Sequence, residues 1–169
     1  GWTPTDEGTL ESWYQNQVGI TLNGSTVSDW ADSSSNSRDM VQNDATEQPA
    51  YSAGTLTFDS ANKTNLQTIS GSSQITIKID GSQIALDLDS GSFGDDYIVL
   101  TRASSVFTLY RNGVAQSTTQ TLAGTIDIDA IGIREENKNG FNGTIEEVQI
   151  YSSSNSTLTS NINSRLSSL

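Results

Sequence analysis

Apolar and polar residues alternate along most of this chain in short runs, and the pattern is clearest between Tyr97 and Tyr151. Segments 97–102, 106–111 and 126–133 are apolar runs near strand length separated by turn residues, and a fourth covers 144–151. All four read as β. Within 106–111, Val106, Thr108 and Tyr110 alternate with Phe107, Leu109 and Arg111, and Asn112-Gly113 follows. Asn-Gly supplies the two positive φ angles of a type I′ turn, so a tight hairpin is expected there. In 144–151, Ile145, Val148 and Ile150 are apolar and Glu146, Glu147 and Gln149 are not, which predicts one half-buried strand with a single irregular step, a bulge.

Further strands are expected at 10–14, 18–22, 27–31, 40–42, 56–58 and 66–69, with Asn23-Gly24 as a turn and 43–49 as a surface loop. Residues 75–79 and 84–88 alternate cleanly on either side of Asp80-Gly81-Ser82 and predict a second hairpin. The period changes only at the end. Leu158, Ile162, Leu166 and Leu169 share one helical face, with Ser156 or Thr157 placed to cap it, so a short helix is expected over 157–169. Residues 1–8, with Trp2 and Pro4, read as an arm lying on the body. Trp13 and Trp30 sit among apolar neighbours, and core packing is favoured over a sugar-stacking platform. The expected fold is all-β: a two-layer antiparallel β-sandwich with a short C-terminal helix, one domain over 1–169.

Composition narrows the partners. Twenty acidic and 8 basic residues give a formal charge of −12, which repels nucleic acid and anionic membranes at long range. Neutral glycans, cations and other protein surfaces remain. There is no cysteine, so no disulfide framework or thiolate chemistry is available. No apolar run approaches the roughly 20 residues of a membrane-spanning helix, so no membrane insertion is expected.

Two loops are dense in oxygen ligands. Asp32, Asn36 and Asp39 in the 32–39 loop, and Asp95-Asp96 in the 89–96 loop, are spaced so that they could surround a hard cation such as Ca²⁺. The 32–39 loop lacks the glycine and terminal glutamate of an EF-hand, and Asx and Ser turns within the loop are the commoner use of such residues. Ca²⁺ is therefore an option and no cofactor is required.

Catalysis is not expected. Asp127-Ile128-Asp129 is the best approach to carboxylates at alternate strand positions, but the next same-face residues are Ile131 and Ile133. Glu135-Glu136 and Glu146-Glu147 are adjacent pairs, and there is no histidine. Sequons begin at Asn23, Asn62, Asn142 and Asn155, as chance allows in a chain so rich in Asn, Ser and Thr.

Tyr110-Arg-Asn-Gly113, then Ile131-Gly132, then Phe141-Asn-Gly-Thr-Ile-Glu-Glu-Val-Gln-Ile-Tyr151 resembles the C-terminal half of laminin-G-like domains of the concanavalin A-like lectin and glucanase superfamily. Leu10-Glu-Ser-Trp-Tyr14, Val27-Ser-Asp-Trp-Ala-Asp32 with Asn36, Gln48-Pro-Ala-Tyr51 and Leu56-Thr-Phe-Asp59 resemble the opening of a subgroup found in phage and marine bacterial surface proteins. The stretch 64–89 departs, being compact and without the usual tryptophan-bearing strand.

The resemblance implies a concanavalin A-like jelly roll and a non-catalytic, lectin-like binding module on a virion or extracellular surface. Its loops would meet a neutral glycan, with Tyr51, Phe93 and Tyr97 as aromatic floor and Asn137 in the 134–139 loop. The alternative is a structural virion protein, a decoration, fibre or appendage that contacts other subunits, with oligomerisation an option.

Overall fold

Short strands set by the alternation make up most of the regular secondary structure in the computed structural model, which describes residues 1–59, 61, 66–68, 75–77, 94, 96–123, 126–128, 130–132 and 141–169. In chain order they are β1 (Leu10–Tyr14), β2 (Ile20–Asn23), β3 (Thr26–Trp30), β4 (Met40–Val41), β5 (Ala50–Ser52), β6 (Thr55–Phe58), β7 (Leu66–Thr68) and β8 (Ile75–Ile77). Then follow β9 (Ile98–Ala103), β10 (Val106–Arg111), β11 (Val114–Thr121), β12 (Ile126–Ile128), β13 (Ala130–Ile131), β14 (Gly143–Ile145), β15 (Val148–Tyr151) and the helix α1 (Ser156–Leu166). The registered ladders are antiparallel, and the fold class is all-β with one short C-terminal helix, consistent with a concanavalin A-like sandwich. The chain divides into two compact units, one of Leu10–Ile75 with Ile128–Ile150 and one of Gly1–Thr9, Thr76–Asp127 and Tyr151–Leu169.

The first unit is built on a sheet of order β13-β7-β4-β3-β5-β6-β14, with β2 pairing β3 and a separate β1-β15 ladder. Trp13, Tyr14, Val27, Trp30, Met40, Leu56, Phe58, Ile131 and Ile150 are its buried apolar residues. Tyr14 and Trp30 meet at 5.8 Å between ring centroids, tilted by 54°, the edge-inclined geometry that aromatic quadrupoles favour. Both Trp13 and Trp30 are core residues, as the sequence suggests. Gly132 adopts φ +88°, and a Cβ there would stand 2.2 Å from Cδ1 of Phe58, so the Ile131-Gly132 pair lets the ring close over the backbone.

The final strand is not one strand. Residues 144–151 divide into β14, which pairs β6, and β15, which pairs β1. The irregular step at Glu146-Glu147 is a break between two partners rather than a bulge. Asn16 holds the break open: its backbone N–H donates to Glu147 Oε1 at 3.1 Å and its amide to the Glu146 carbonyl at 3.3 Å. The 126–133 run is likewise divided, into β12 and β13. The loop 43–49 contains a 3-10 turn, Ala45–Glu47, capped by Asp44 accepting from Thr46 N–H, and Gln48 within the loop is buried.

The second unit carries the sheet β11-β10-β9 and α1. Asn112 (φ 52°) and Gly113 (φ 80°) make the tight β10-β11 connection that the sequence predicts. Phe107 and Leu109 are buried on one face of β10, and Tyr110 lies on the other, paired across the sheet with Val99. That second face receives α1. Val99, Leu158 and Ile162 form a buried cluster, with Trp2, Tyr110, Tyr151 and Leu166 packed around it. The cap of α1 is Asn155, one residue before the two candidates, because its side chain reaches the N–H of Leu158 at 2.8 Å. The helix ends at Leu166, and Leu169 is exposed. The N-terminal arm includes a 3-10 turn, Pro4–Asp6, and Trp2 packs on the cluster while its indole N–H donates to Glu7 at 2.9 Å. The hairpin expected over 75–88 lies outside the described residues beyond β8, which pairs β12.

Candidate functional site

The 32–39 loop is organised by its own hydrogen bonds. Asp32 Oδ1 accepts from the N–H of Trp13 and of Ser34, each at 2.8 Å, and Oδ2 accepts from Ser34 Oγ at 2.8 Å and Arg38 N–H at 3.0 Å. Asp39 Oδ1 accepts from the N–H of Asp32 at 2.9 Å. The Asn36 amide donates to the carbonyls of Leu10 and Glu11, and Arg38 bridges to the Glu11 carboxylate at 2.6 Å. Tyr14 donates its phenol proton to the Arg38 carbonyl at 2.7 Å, and burial pushes that phenol well above its usual pKa, so it stays a donor. A carboxylate holding four donors already has its acceptor positions filled by its own loop and strand. Among the described residues no three acidic side chains gather as a metal centre would need.

Asp96 plays a comparable part in the second unit. Its carboxylate accepts from Arg111 at 2.6 and 3.1 Å, from the Asn112 amide at 2.7 Å and from Gly94 N–H at 2.9 Å. The Asn112 and Arg111 donors hold it below the usual carboxylate range. Asn112 then closes on Tyr97 twice, its Oδ1 accepting from Tyr97 N–H at 3.0 Å and its own N–H donating to the Tyr97 carbonyl at 2.9 Å. The consequence is positional. Tyr97 is clamped beside the hairpin tip, with its hydroxyl 3.6 Å from where a Cβ on Gly113 would lie.

Beside this clamp the second unit has an open groove of about 430 Å³. Tyr97, Tyr110 and Gly113 form one wall. The other is one side of α1 and its C-terminal cap: Ser156, Thr159, Ser160, Asn163, Ser164 and Ser167. None of these nine residues is charged, in a chain with 28 charged side chains. The wall arises from helical period. Leu158, Ile162 and Leu166 turn inward, and the neighbouring stripe of hydroxyls and one amide faces the groove. Asn163 Oδ1 is buried with no hydrogen-bond partner among the described residues, a state that costs about 1–3 kcal/mol.

Of the other candidate residues, Tyr51 is half-buried on β5, its N–H bonded to the Ser25 carbonyl at 2.9 Å, in the first unit. Phe93, Asp95 and Asn137 lie outside the described residues. So do Asp129 and the Glu135-Glu136 pair. Among the described residues, Tyr97 is the one expected ligand residue that lines the groove; Tyr110 and Asn163 join it from outside the expected set, Asn163 from an uncharged run of Ser, Thr and Asn beside an apolar helical stripe.

A laminin-G family model, described as concanavalin A-like lectin/glucanases superfamily, matches residues 9–159. The chain belongs to this laminin-G-like family. No curated protein and no solved structure matches the chain. The match covers every described strand of the laminin-G-like domain and ends early in α1, so the Ser160, Asn163, Ser164 and Ser167 part of the groove lies beyond the matched residues.

Proposed function

We propose that this laminin-G-like chain is a non-catalytic binding module for a neutral glycan, displayed on a virion or extracellular surface. The observation that carries the reading is the groove: two tyrosine rings facing hydroxyls and an amide, with no charge on its lining. Tyrosine offers an apolar face for the C–H side of a sugar at small entropic cost, and hydroxyls and amides match sugar hydroxyls as both donors and acceptors. An uncharged lining in a molecule of net charge −12 also disfavours acidic sugars, which the wider field repels.

The same lining argues against hydrolysis. Glycoside cleavage uses a pair of carboxylates across the bond, and the groove presents none. No cofactor is needed in this reading. Ca²⁺ at Asp32, Asn36 and Asp39 would have to compete with the donors already on Asp32. Trp2 packs on the Val99 cluster, so it offers the architectural alternative, a virion decoration or appendage protein, no free anchor.

A glycan array read with and without EDTA tests the proposal. Binding to neutral glycans, unchanged by EDTA and absent for sialylated ones, is expected. No binding under either condition would remove the lectin reading, and a fixed position on particles by electron microscopy without sugar binding would favour the architectural one.

A further inference from the structure

Three Asn-Gly pairs fall among the described residues, Asn23-Gly24, Asn112-Gly113 and Asn142-Gly143; Asn139-Gly140 lies outside them. Asparagine is a thermolabile residue, and most so before glycine, where no side chain shields the next peptide nitrogen. That nitrogen can attack the asparagine amide carbon only if the amide is free to swing onto it. The three pairs differ in this freedom.

Asn112 is held at both ends of its amide: Oδ1 accepts from Tyr97 N–H at 3.0 Å, and Nδ2 donates to Asp96 Oδ1 at 2.7 Å. Asn23 is held at one end, its Nδ2 donating at 3.1 Å to Oε1 of the buried Gln48. Asn142 is exposed, and its amide has no hydrogen-bond partner among the described residues. Its terminal torsion is soft, so turning the amide breaks no hydrogen bond. It stands immediately before β14, the end strand of its sheet, where Gly143 pairs Phe58, Thr144 pairs Thr57 and Ile145 pairs Leu56.

We propose that Asn142-Gly143 is a self-modification site, at which the folded protein converts asparagine to aspartate and isoaspartate with water as the only co-reactant. The Gly143 nitrogen gives up its proton and bonds to Asn142 Cγ. The Cγ–Nδ2 bond breaks, and the side-chain nitrogen takes up a proton and leaves as ammonia. Water then opens the cyclic imide. Attack at Cγ breaks the new bond and leaves aspartate; attack at the Asn142 backbone carbonyl carbon breaks the original peptide bond and leaves isoaspartate, whose chain runs through Cβ and Cγ. A water is consumed and an ammonia released, and nothing is oxidised or reduced.

The two products differ in consequence. Aspartate adds a charge at an exposed position. Isoaspartate adds a methylene to the backbone directly ahead of a strand of 3 residues, which moves Gly143 off Phe58 and weakens the pairing of Ile145 with Leu56. Leu56 and Phe58 are core residues, so ageing at Asn142 frays the sheet where β6 meets the core.

Peptide mapping by tandem mass spectrometry, with electron-transfer fragmentation to tell isoaspartate from aspartate, tests this on the intact chain held for days in mildly alkaline buffer, alongside the chain unfolded in urea. In the folded protein Asn142 is expected to react about tenfold or more faster than Asn112, whose two hydrogen bonds must break first, with Asn23 between them. In urea the three rates are expected to converge. D96A removes the acceptor of the Asn112 amide and is expected to speed Asn112 while leaving Asn142 unchanged, with a thermal melt to confirm that the variant is folded. N142Q, whose longer side chain would have to close a larger ring, is expected to stay unmodified there. The deamidated fraction, separated by ion exchange, is expected to melt at a lower temperature than N142D, which carries the charge without the methylene.

Asn112 or Asn23 reacting as fast as Asn142 in the folded chain would overturn the proposal. So would an Asn142 that stays intact in the folded chain and reacts in urea. Rates that keep their order in urea would assign the difference to local sequence and overturn the structural argument. A deamidated fraction as stable as N142D would overturn the consequence for β14.

Discussion

Two polar surfaces of this chain differ in what their side chains are already doing. The 32–39 loop is rich in carboxylates and amides, and the structure spends them internally: four donors converge on Asp32, and Asn36 and Arg38 bind backbone and side chain of β1. The α1 groove has no charge, yet it carries a buried oxygen without a partner and two tyrosine rings at its wall. Density of ligand-like atoms is therefore a poor guide to a binding surface. What distinguishes the groove is a polar group left unsatisfied at a concave, uncharged face.

The largest effect expected from breaking this contrast is at Asp32. Asp32→Ala strands the N–H groups of Trp13, Ser34 and Arg38, and a loss of about 3 kcal/mol or more in a urea melt is expected, with glycan affinity of the folded fraction unchanged. Tyr97→Ala should do the reverse: about tenfold weaker glycan binding by calorimetry, with stability altered by about 1 kcal/mol or less. If Asp32→Ala abolished binding without unfolding the protein, the two surfaces would have exchanged roles.

Gly113→Ala comes next. The position has φ +80° and room for a methyl group, so only backbone strain is added, about 1–2 kcal/mol, readable as a small drop in Tm. The smallest effect concerns acid. Asp96 has a folded-state pKa held below the ordinary carboxylate value, so the unfolded chain takes up its proton first as pH falls. Its contribution is complete above the ordinary carboxylate range and is lost as pH drops through the lowered folded value. Glycan affinity should be flat through the neutral range and fall only once the pH drops below the ordinary carboxylate range, as the Tyr97 clamp loosens. Asp96→Asn should remove that acid dependence.

Much of the fold was legible because its signals are local. Asn112-Gly113 demands positive φ at two positions, and Leu158, Ile162 and Leu166 mark a helix by spacing alone. The break at Glu146-Glu147 was not legible, because the residue responsible, Asn16, is 130 positions away in sequence. The cap falls on Asn155 rather than on Ser156 or Thr157 because Ser, Thr and Asn are all good caps and only geometry chooses among them. At the site, Tyr97 was visible as an aromatic near a polar loop. Its clamp through Asp96 and Asn112, and the pairing of Tyr110 with the uncharged side of α1, depend on contacts between segments that no short window contains.

The most direct measurement is a ¹⁵N-resolved NMR titration of the whole chain with the neutral oligosaccharide that binds best. Shift changes concentrated at Tyr97, Tyr110, Ser160 and the Asn163 side-chain amide, with residues 32–39 silent, are expected. Changes concentrated at residues 32–39 with the groove silent would contradict the assignment.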